Sequence, residues 1–235
     1  MIHAIIAAGQ GSRLAGEGIA LPKPLVQVGG EPLIGRMVRI MASQPGCGRI
    51  EVIINGEADD VSRYLEELRT RLPINVTVRT TPGSMHSLAA LLPRLGGDDV
   101  CVATVDAVFR PDEFGAYLRE WQTARRDGCD ALMAVTRYVD DEKPLYVAEG
   151  PDGTVTGYFD TPAEGVTCVS GGMYILSPRA LSYLTDCMEA GHTRMRDFQR
   201  SLVAAGLRLR TFHFSKIIDV DHAADIAAAE DLIKK

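Results

Sequence analysis

Two glycines, an arginine and a lysine lie close together near the start of the chain, in the segment AAGQGSRLAGEGIALPKPL (residues 7–25). Glycine permits a loop whose backbone N–H groups can approach an anion closely. Arg13 and Lys23 add two positive charges, and Lys23 is one of only five lysines beside twenty arginines. The segment therefore predicts a phosphate-binding site, with a glycine-rich turn carrying two solvated cations as the structural alternative.

Three phosphate-binding patterns can be compared with this segment. The dinucleotide fingerprint G-x-G-x-x-G needs a third glycine where Leu14 stands, and the P-loop needs G-K-[ST], which the sequence lacks. A third pattern, G-x-G-x-R-L followed by P-K-P-L, matches in full at Gly9, Gly11, Arg13, Leu14, Pro22, Lys23, Pro24 and Leu25. Such a set of groups suits a reaction between two anions, in which the protein aligns the reactants and neutralises charge.

On these residues the chain resembles the nucleotidyltransferase superfamily that activates sugar phosphates, together with MobA-like NTP transferases and phosphocholine and inositol-phosphate cytidylyltransferases. The resemblance implies that Arg13 and Lys23 are catalytic, with Arg13 at the β- and γ-phosphates and Lys23 at the α-phosphate. It also implies that backbone groups near the first strand hold the nucleotide, at Ala8, Gly9, Gln10, Gly11 and Ser12.

The segment TPGSMHSLAAL (residues 81–91) resembles the loop and helix start that line the nucleobase in this superfamily. Gly83 and Ser84 are therefore expected to bind the nucleotide. His86 lies on the first turn of the same helix, where contact with the base and a purely structural hydrogen bond are both open.

Aspartates at two strand ends predict a metal site. Asp106 ends the strand of ATVDAVF, and Asp221 lies in SKIIDVDHAAD, where the family carries its second metal aspartate. The resemblance implies Mg²⁺ held by Asp106 and Asp221, with Asp219 helping through water, and two carboxylates plus substrate phosphates suit this ion. The alternatives are that Asp106 caps the following loop and that Asp221 caps the last helix.

The acceptor side departs further from the family pattern. TVTGYFDTP and VSGGMYILSPRAL resemble the sugar-binding half, which places Asp160 and Gly172 at the acceptor. Pro162 stands where the family has a lysine, so Lys216 or Arg194 is expected to bind the acceptor phosphate instead. The alternative is a β-rich insertion without this role.

Alternating strands and helices up to about residue 128, followed by hairpin-like strands, must position these residues. This order predicts an α/β fold with a Rossmann-like, doubly wound, mainly parallel sheet and a β-rich insertion. The family resemblance further implies that the sheet is of GT-A type and that the insertion binds the acceptor. We expect a single domain over residues 1–235. Residues 1–128 would bind the NTP, 129–214 the acceptor, and 215–235 would supply the second metal aspartate and the closing helix.

The composition excludes several other classes of protein. A net charge of −6 without a basic run argues against nucleic-acid binding, and no apolar stretch reaches the roughly 18–20 residues of a membrane span. Five widely spaced cysteines without C-x-x-C pairs indicate reduced thiols in a cytoplasmic protein, with neither a disulfide framework nor a zinc site. The oligomeric state is open, a homodimer being one option.

These observations predict a magnesium-dependent nucleotidyltransferase that joins an NTP to a phosphorylated small molecule, a sugar-1-phosphate first of all. A cytidylyltransferase for a polyol phosphate, phosphocholine or a phosphonate is the alternative acceptor class. A metal-dependent GT-A glycosyltransferase and a non-catalytic nucleotide sensor belong to different classes. Because the sequence ends at residue 235, we expect no β-helical acetyltransferase or regulatory extension of the kind some relatives carry.

Overall fold

The computed structural model describes residues 1–9, 11–139 and 141–234. The strands are β1 (Ile2–Ala7), β2 (Gln27–Val28), β3 (Glu31–Pro32), β4 (Arg49–Ile54), β5 (Ile74–Val78), β6 (Val100–Thr104), β7 (Ala107–Val108), β8 (Ala131–Thr136), β9 (Tyr146–Glu149), β10 (Val155–Phe159), β11 (Cys168–Leu176), β12 (Leu209–Phe214) and β13 (Ile218–Asp219). The helices are α1 (Ser12–Gly16), α2 (Leu33–Ala42), α3 (Asp59–Arg69), α4 (Ser84–Leu95), α5 (Pro111–Arg126), α6 (Pro178–Glu189), α7 (Met195–Ala204) and α8 (Ala223–Ile233), and a 3₁₀ turn spans Lys23–Leu25.

Nine of these strands form one sheet in the order β10-β9-β11-β6-β1-β4-β5, with β8 beside β11 and β12 beside β8. The strands β5, β4, β1 and β6 are parallel neighbours, and β8 and β12 are parallel to each other. Only β10 and β11, among the described strands of this sheet, run opposite to the other seven. The mainly parallel α/β fold with extra antiparallel strands is thus confirmed.

Two hydrophobic cores cover the two faces of the sheet. Strand β1 is buried along its whole length, as expected for a central parallel strand with helices on both sides. Helices α2, α3, α5 and α8 contribute buried side chains to one core, including Met37 and Trp121. Helices α4, α6 and α7 contribute to the other, including Leu88 and Phe198. In the described part of the chain, no helix has the length and apolar character needed to cross a membrane.

The direction of winding reverses at β1. The chain proceeds from β1 to β4 and β5 on one side, and α4 then carries it back to β6 on the other side of β1. In open α/β sheets a crevice forms at the carboxyl ends of the strands where the winding reverses. The loops after β1 and β6 therefore face each other across such a crevice.

Candidate active site

The loop after β1 is shaped by Gly11 and packs against Lys23. Gly11 has a φ of 61°, in the left-handed region that side chains other than glycine rarely adopt. A Cβ atom at this position would lie 2.8 Å from the Cβ of Lys23. Glycine is therefore required both by the backbone conformation and by the close approach of the 3₁₀ turn.

Lys23 joins the two aspartates that the sequence predicts as metal ligands. Its Nζ lies 2.5 Å from Oδ2 of Asp106 and 2.5 Å from Oδ1 of Asp221, so these two oxygens are at most twice that distance apart. Nη1 of Arg13 lies 2.5 Å from the other carboxylate oxygen of Asp221. Two cations and two carboxylates thus form one cluster in the crevice.

Burial and neighbouring charges shift the pKa values of Lys23 and Asp106 in opposite directions. Burial disfavours the ammonium of Lys23, whose side chain is 9% exposed, but the charges of Asp106 and Asp221 raise its pKa above the ordinary value. Burial likewise disfavours the carboxylate of Asp106, yet the charge and hydrogen bond of Lys23, with a hydrogen bond from Thr104, lower its pKa. Lys23 and Asp106 are therefore held in their ionised forms by each other.

A small two-stranded ladder explains how residues more than 100 positions apart meet. Strand β7, directly after Asp106, pairs antiparallel with β13, so that Asp219 lies opposite Ala107. The N–H of Val220 then donates to the carbonyl of Asp106 over 3.1 Å. The ladder therefore brings Asp106, directly before β7, close to Asp221, directly after the end of β13 and Val220.

Asp221 does not cap the last helix, which corrects that alternative for this residue. The N-cap of α8 is His222, whose carbonyl accepts from the N–H of the N3 residue Asp225 over 3.1 Å, while the carboxylate of Asp225 accepts from the N–H of His222 over 2.6 Å. Asp225 also accepts from the N–H of Asp221 over 2.9 Å. The carboxylate of Asp221 is therefore directed to Arg13 and Lys23.

Asp219 supplies the observation that tests whether a cation fits here. Its Oδ1 is buried and has no hydrogen-bond partner among the described residues. Burial and the nearby charge of Asp106 raise the pKa of Asp219 well above its ordinary value. Because carboxylate oxygens are the preferred ligands of small divalent cations, the three aspartates fit such an ion, with Asp219 as the group that lacks a partner.

A cavity of about 660 Å³ opens beside the cluster. It is lined by most of the residues predicted to bind the nucleotide, namely Ala8, Gly9, Gly11, Ser12, Gly83 and Ser84, together with Arg13, Lys23, Asp106 and Asp221. Gln10 was predicted with them but lies outside the described residues. The volume of this cavity falls in the range of small-molecule and cofactor sites.

Sequence reasoning missed the polar residues on the far wall of this cavity. Asn55 follows β4, donates to the carbonyl of Ala8 over 3.3 Å and accepts from Thr80 over 3.2 Å. Asn55, Thr80, Thr81 and Ser87 all line the cavity. Their position after a strand could have indicated these residues, because Asn55 and Thr80 follow β4 and β5 at the same sheet edge as Asp106.

Gly83 and Ser84 join the nucleotide side to the acceptor side. Gly83 has extended backbone, but a Cβ there would lie 2.7 Å from the carbonyl oxygen of Thr193. The hydroxyl of Ser84 accepts a 3.4 Å hydrogen bond from the N–H of Met195 at the start of α7. His86 points elsewhere and lines a separate small cavity with Arg79.

A second cavity, of about 290 Å³, meets the first at Ser84, Thr104 and Asp106. Gly172 lines it at a register shift in β11, with a φ of +72°. A Cβ on Gly172 would lie 2.6 Å from the hydroxyl of Thr104. Arg194, one of the two predicted anchors for the acceptor phosphate, also lines this cavity.

Two other predicted acceptor residues are not brought to this cavity. Asp160 pairs with Arg196 at 2.6 Å and with Arg200 at 2.7 Å, and only Arg196 of the three lines the cavity. These contacts lower the pKa of Asp160. Lys216 places its Nζ 3.7 Å from the centre of the Tyr138 ring. This arrangement therefore does not favour a direct contact of Asp160 or Lys216 with an acceptor.

A further contact that the sequence did not indicate joins the end of α1 to the start of α8. Glu17, just after α1, accepts from the N–H of Ala223 over 2.7 Å and contacts Nδ1 of His222 at 2.5 Å. The hydrogen bond to Glu17 raises the pKa of His222, while the bonds from Ala223 and His222 lower the pKa of Glu17. Together with the Arg13–Asp221 pair, this contact fixes α1 beside Asp106 and Asp221.

Residues 3–205 match the MobA-like NTP transferase domain family. The chain belongs to this family. The predicted resemblance to NTP transferases is thereby confirmed, and the cluster at Lys23 lies within the matched segment except for Asp221.

Similar proteins include enzymes that act on sugar phosphates. A mannose-1-phosphate guanyltransferase of Emericella nidulans is 28% identical over 183 residues, which cover 75% of this chain and 50% of that protein. The chain spans about half the length of the curated relatives it matches. Among NTP transferases of known structure, a Bacillus anthracis chain assigned as a glucose-1-phosphate thymidylyltransferase has a TM-score of 0.84 at 20% identity, covering 100% of this chain and 96% of that one.

An inositol-1-phosphate CTP transferase of T. maritima has a TM-score of 0.79 at 16% identity, covering 100% of this chain and 96% of that one. Identities this low establish the shared fold. The nucleobase and the acceptor must therefore be inferred from the residues of this chain.

Proposed function

We propose that this NTP transferase is a magnesium-dependent nucleotidyltransferase that joins an NTP to a sugar-1-phosphate and releases pyrophosphate. One observation carries the proposal. The two cavities meet at Asp106, where Lys23 and Arg13 supply positive charge beside carboxylates that fit a divalent cation. A nucleoside triphosphate in the larger cavity would therefore place its α-phosphate at the entrance of the smaller one.

The reaction needs alignment and charge neutralisation more than proton transfer. An oxygen of the acceptor phosphate forms a bond to the α-phosphorus, while the bond from that phosphorus to the bridging oxygen of pyrophosphate breaks. Lys23 would stabilise charge at the α-phosphate, and Arg13 charge on the leaving pyrophosphate. Asp106 and Asp221, with Asp219, would hold Mg²⁺, which supplies further charge stabilisation when bound.

The nucleotide is expected to enter through loops at the carboxyl ends of β1, β4 and β5. Backbone N–H groups of residues 8–12 would bind phosphate and ribose, as glycine-rich loops do for anions. Asn55, Thr80 and Ser84 provide hydrogen-bonding groups on the wall that would face the base and ribose. Arg194 and Arg196 provide the positive charge on the acceptor side.

A second candidate acceptor carries a positive charge, as phosphocholine does. A small cavity next to the aspartates is lined by the carboxylates of Asp141, Glu142 and Asp219 and by the ring of Tyr138. The three carboxylates suit a cationic group as well as sugar hydroxyls, while Nζ of Lys216 already lies over the Tyr138 ring and Arg13 also lines the cavity. This lining favours the cytidylyltransferase alternative, in which the acceptor is phosphocholine or a related aminoalkyl phosphate.

A pyrophosphate-release screen tests the proposal. The four NTPs and dTTP are each combined with a panel of sugar-1-phosphates, polyol phosphates, phosphocholine and an aminoalkyl phosphonate, with and without Mg²⁺. We expect Mg²⁺-dependent release with one sugar-1-phosphate. Release with phosphocholine alone would replace it by the second candidate, and nucleotide binding without release under any combination would favour a nucleotide sensor.

A further inference from the structure

Three metal-ligating side chains meet at a place that the proposed reaction does not use. Glu149 ends β9, Cys168 begins β11, and His213 lies near the end of β12. Each offers one ligand atom within 4.8 Å of the other two. None of the three lines the cavities around Asp106 in the described part of the chain.

The β9–β10 hairpin brings these residues together by folding onto β12. Cys168 lies opposite Val147 in the antiparallel pair of β11 and β9. The N–H of Thr211 in β12 donates to the carbonyl of Gly153 in the hairpin turn over 2.9 Å, and Thr154 forms a bridge with Arg210. The cluster therefore lies where two non-consecutive parts of the acceptor half close on each other.

The distances within the cluster are close to those of a zinc coordination sphere. Nε2 of His213 lies 2.8 Å from Oε1 of Glu149, and Sγ of Cys168 lies 3.9 Å from the same oxygen. Zinc bond lengths and tetrahedral angles give edges of about 3.3 Å between nitrogen and oxygen and about 3.6 Å between sulfur and oxygen. The third edge, between Sγ of Cys168 and the ring nitrogen of His213, is at most 4.8 Å. It compares with about 3.6 Å in a zinc sphere, so side-chain movements of up to about an ångström would convert one arrangement into the other.

The chemistry of the ligand set also selects the ion. Thiolate and imidazole favour zinc over magnesium or calcium, and a carboxylate completes a set of three. Cys168 is buried and His213 is 39% exposed at its side chain, so water can reach the fourth position from one side. In the metal-free protein the thiol donates to the carbonyl of Val147 over 3.3 Å, and zinc binding would release this proton.

We propose that Glu149, Cys168 and His213 form a zinc site, with water as the fourth ligand, that fastens the β9–β10 hairpin to β12. This proposal departs from the expectation that the cysteines form no zinc site. That expectation depended on cysteine spacing along the chain, whereas the fold supplies the other two ligands from distant strands. The site is independent of the proposed transferase activity.

Equilibrium competition for Zn²⁺ between the purified protein and a chromophoric chelator tests the proposal, with excess Mg²⁺ present to occupy the aspartates at Lys23. We expect one Zn²⁺ bound per wild-type chain. Cys168→Ser and His213→Asn should each weaken binding at least tenfold, the scale for removing one ligand or its close support. Cys187→Ser, a change at another buried cysteine, is the matched control and should bind as the wild type does.

Cobalt titration provides a readout that reports the sulfur ligand directly. Co²⁺ added to the wild type should give a sulfur-to-cobalt charge-transfer band, and Cys168→Ser should lack it. Thermal unfolding of both variants without metal shows whether they fold. If Cys168→Ser does not fold, the zinc affinity of His213→Asn still tests the proposal. Absence of the band in the wild type, or zinc affinity equal in wild type and variants, would overturn the proposal.

Discussion

The proposed nucleotide side and the proposed acceptor side of this NTP transferase are built in different ways. The large cavity is lined by loops that follow β1, β4, β5 and β6, which are neighbouring parallel strands ending at one edge of the sheet. The smaller cavity is lined by a register shift in β11, the segment before β9 and the start of α7. One side thus follows from strand order, whereas the other depends on where antiparallel strands and a distant helix pack.

Their charged groups differ as well. Lys23 and Arg13 pair directly with the aspartates at the junction of the two cavities. On the acceptor side Arg196 pairs with Asp160 and also donates to the carbonyl of Lys143 over 3.0 Å. On the proposed nucleotide side the cations therefore contact the aspartates of one cluster directly, while the arginine on the proposed acceptor side is positioned by its neighbours.

Removing the carboxylate of Asp106 should have the largest effect, because both cavities meet there. We expect Asp106→Ala to lower Mg²⁺-dependent turnover by about three orders of magnitude, near the upper range for one preorganised electrostatic group. Turnover measured across a Mg²⁺ titration checks this. Asp112→Ala, at an exposed aspartate in the first turn of α5, is the control. If Asp106→Ala keeps most of its activity, the metal site is assigned to the wrong residues.

Lys23→Ala should lower turnover by about two orders of magnitude, the scale for losing one charge-stabilising group. It should also lower the free energy of unfolding by less than the roughly 3–5 kcal/mol of a fully buried pair, since Asp106 is 23% exposed. A lysine side chain that is only 9% exposed contributes to folding as well as to turnover.

Steady-state kinetics and urea unfolding of Lys23→Ala, beside Lys234→Ala as an exposed control, provide the measurements. Near-normal turnover in a folded Lys23→Ala protein would remove Lys23 from the proposed mechanism. A loss of stability without a loss of turnover would make the lysine a structural counter-ion for the aspartates.

The difference between the two sides also explains what the sequence could predict. Gly11 and Lys23 are close in the chain, and their types follow from an anion-binding loop, so this cluster could be named in advance. Asp221 was placed by family resemblance alone, since nothing local shows that β13 pairs with β7. Asn55 was missed because a single asparagine after a strand gives no motif.

On the acceptor side, local pattern was a weaker guide. Gly172 was placed at the acceptor by family resemblance, and its position agrees with the use of glycine inside a strand where another group approaches closely. Asp160 was assigned by its position in the family pattern, yet its carboxylate pairs with Arg196. Lys216 was named as a replacement for the lysine missing at Pro162, yet its Nζ lies over the ring of Tyr138. Side-chain pairing across strands is decided by packing that no short stretch of sequence contains.

Arg194→Ala should have an intermediate effect that is confined to the acceptor side. We expect the KM for the acceptor to rise about tenfold, as for loss of one charged hydrogen bond, with the KM for the NTP unchanged. Asp160→Asn should raise the acceptor KM by less, because its carboxylate acts through Arg196. Initial rates with each substrate varied in turn separate the two constants. Equal increases in both KM values would show that Arg194 serves the nucleotide instead.

The smallest expected effect concerns the contact of Glu17 with His222, which also faces Glu142 at 3.5 Å and Asp225 on its own helix. The raised pKa of His222 means that its charged form stabilises the folded state below the ordinary value of 6.5, and this contribution is lost as pH rises through the higher folded pKa. The lowered pKa of Glu17 means that its contribution is present above 4.5 and lost as pH falls through the lower folded value. The contact is therefore fully formed between these values, and the KM for the NTP should rise about twofold as the pH rises through the folded pKa of His222, as for loss of an exposed ion pair. Proton NMR titration of His222 should give a pKa above 6.5 that returns toward 6.5 in Glu17→Gln, and an unchanged pKa in that variant would show that Glu17 does not hold the histidine.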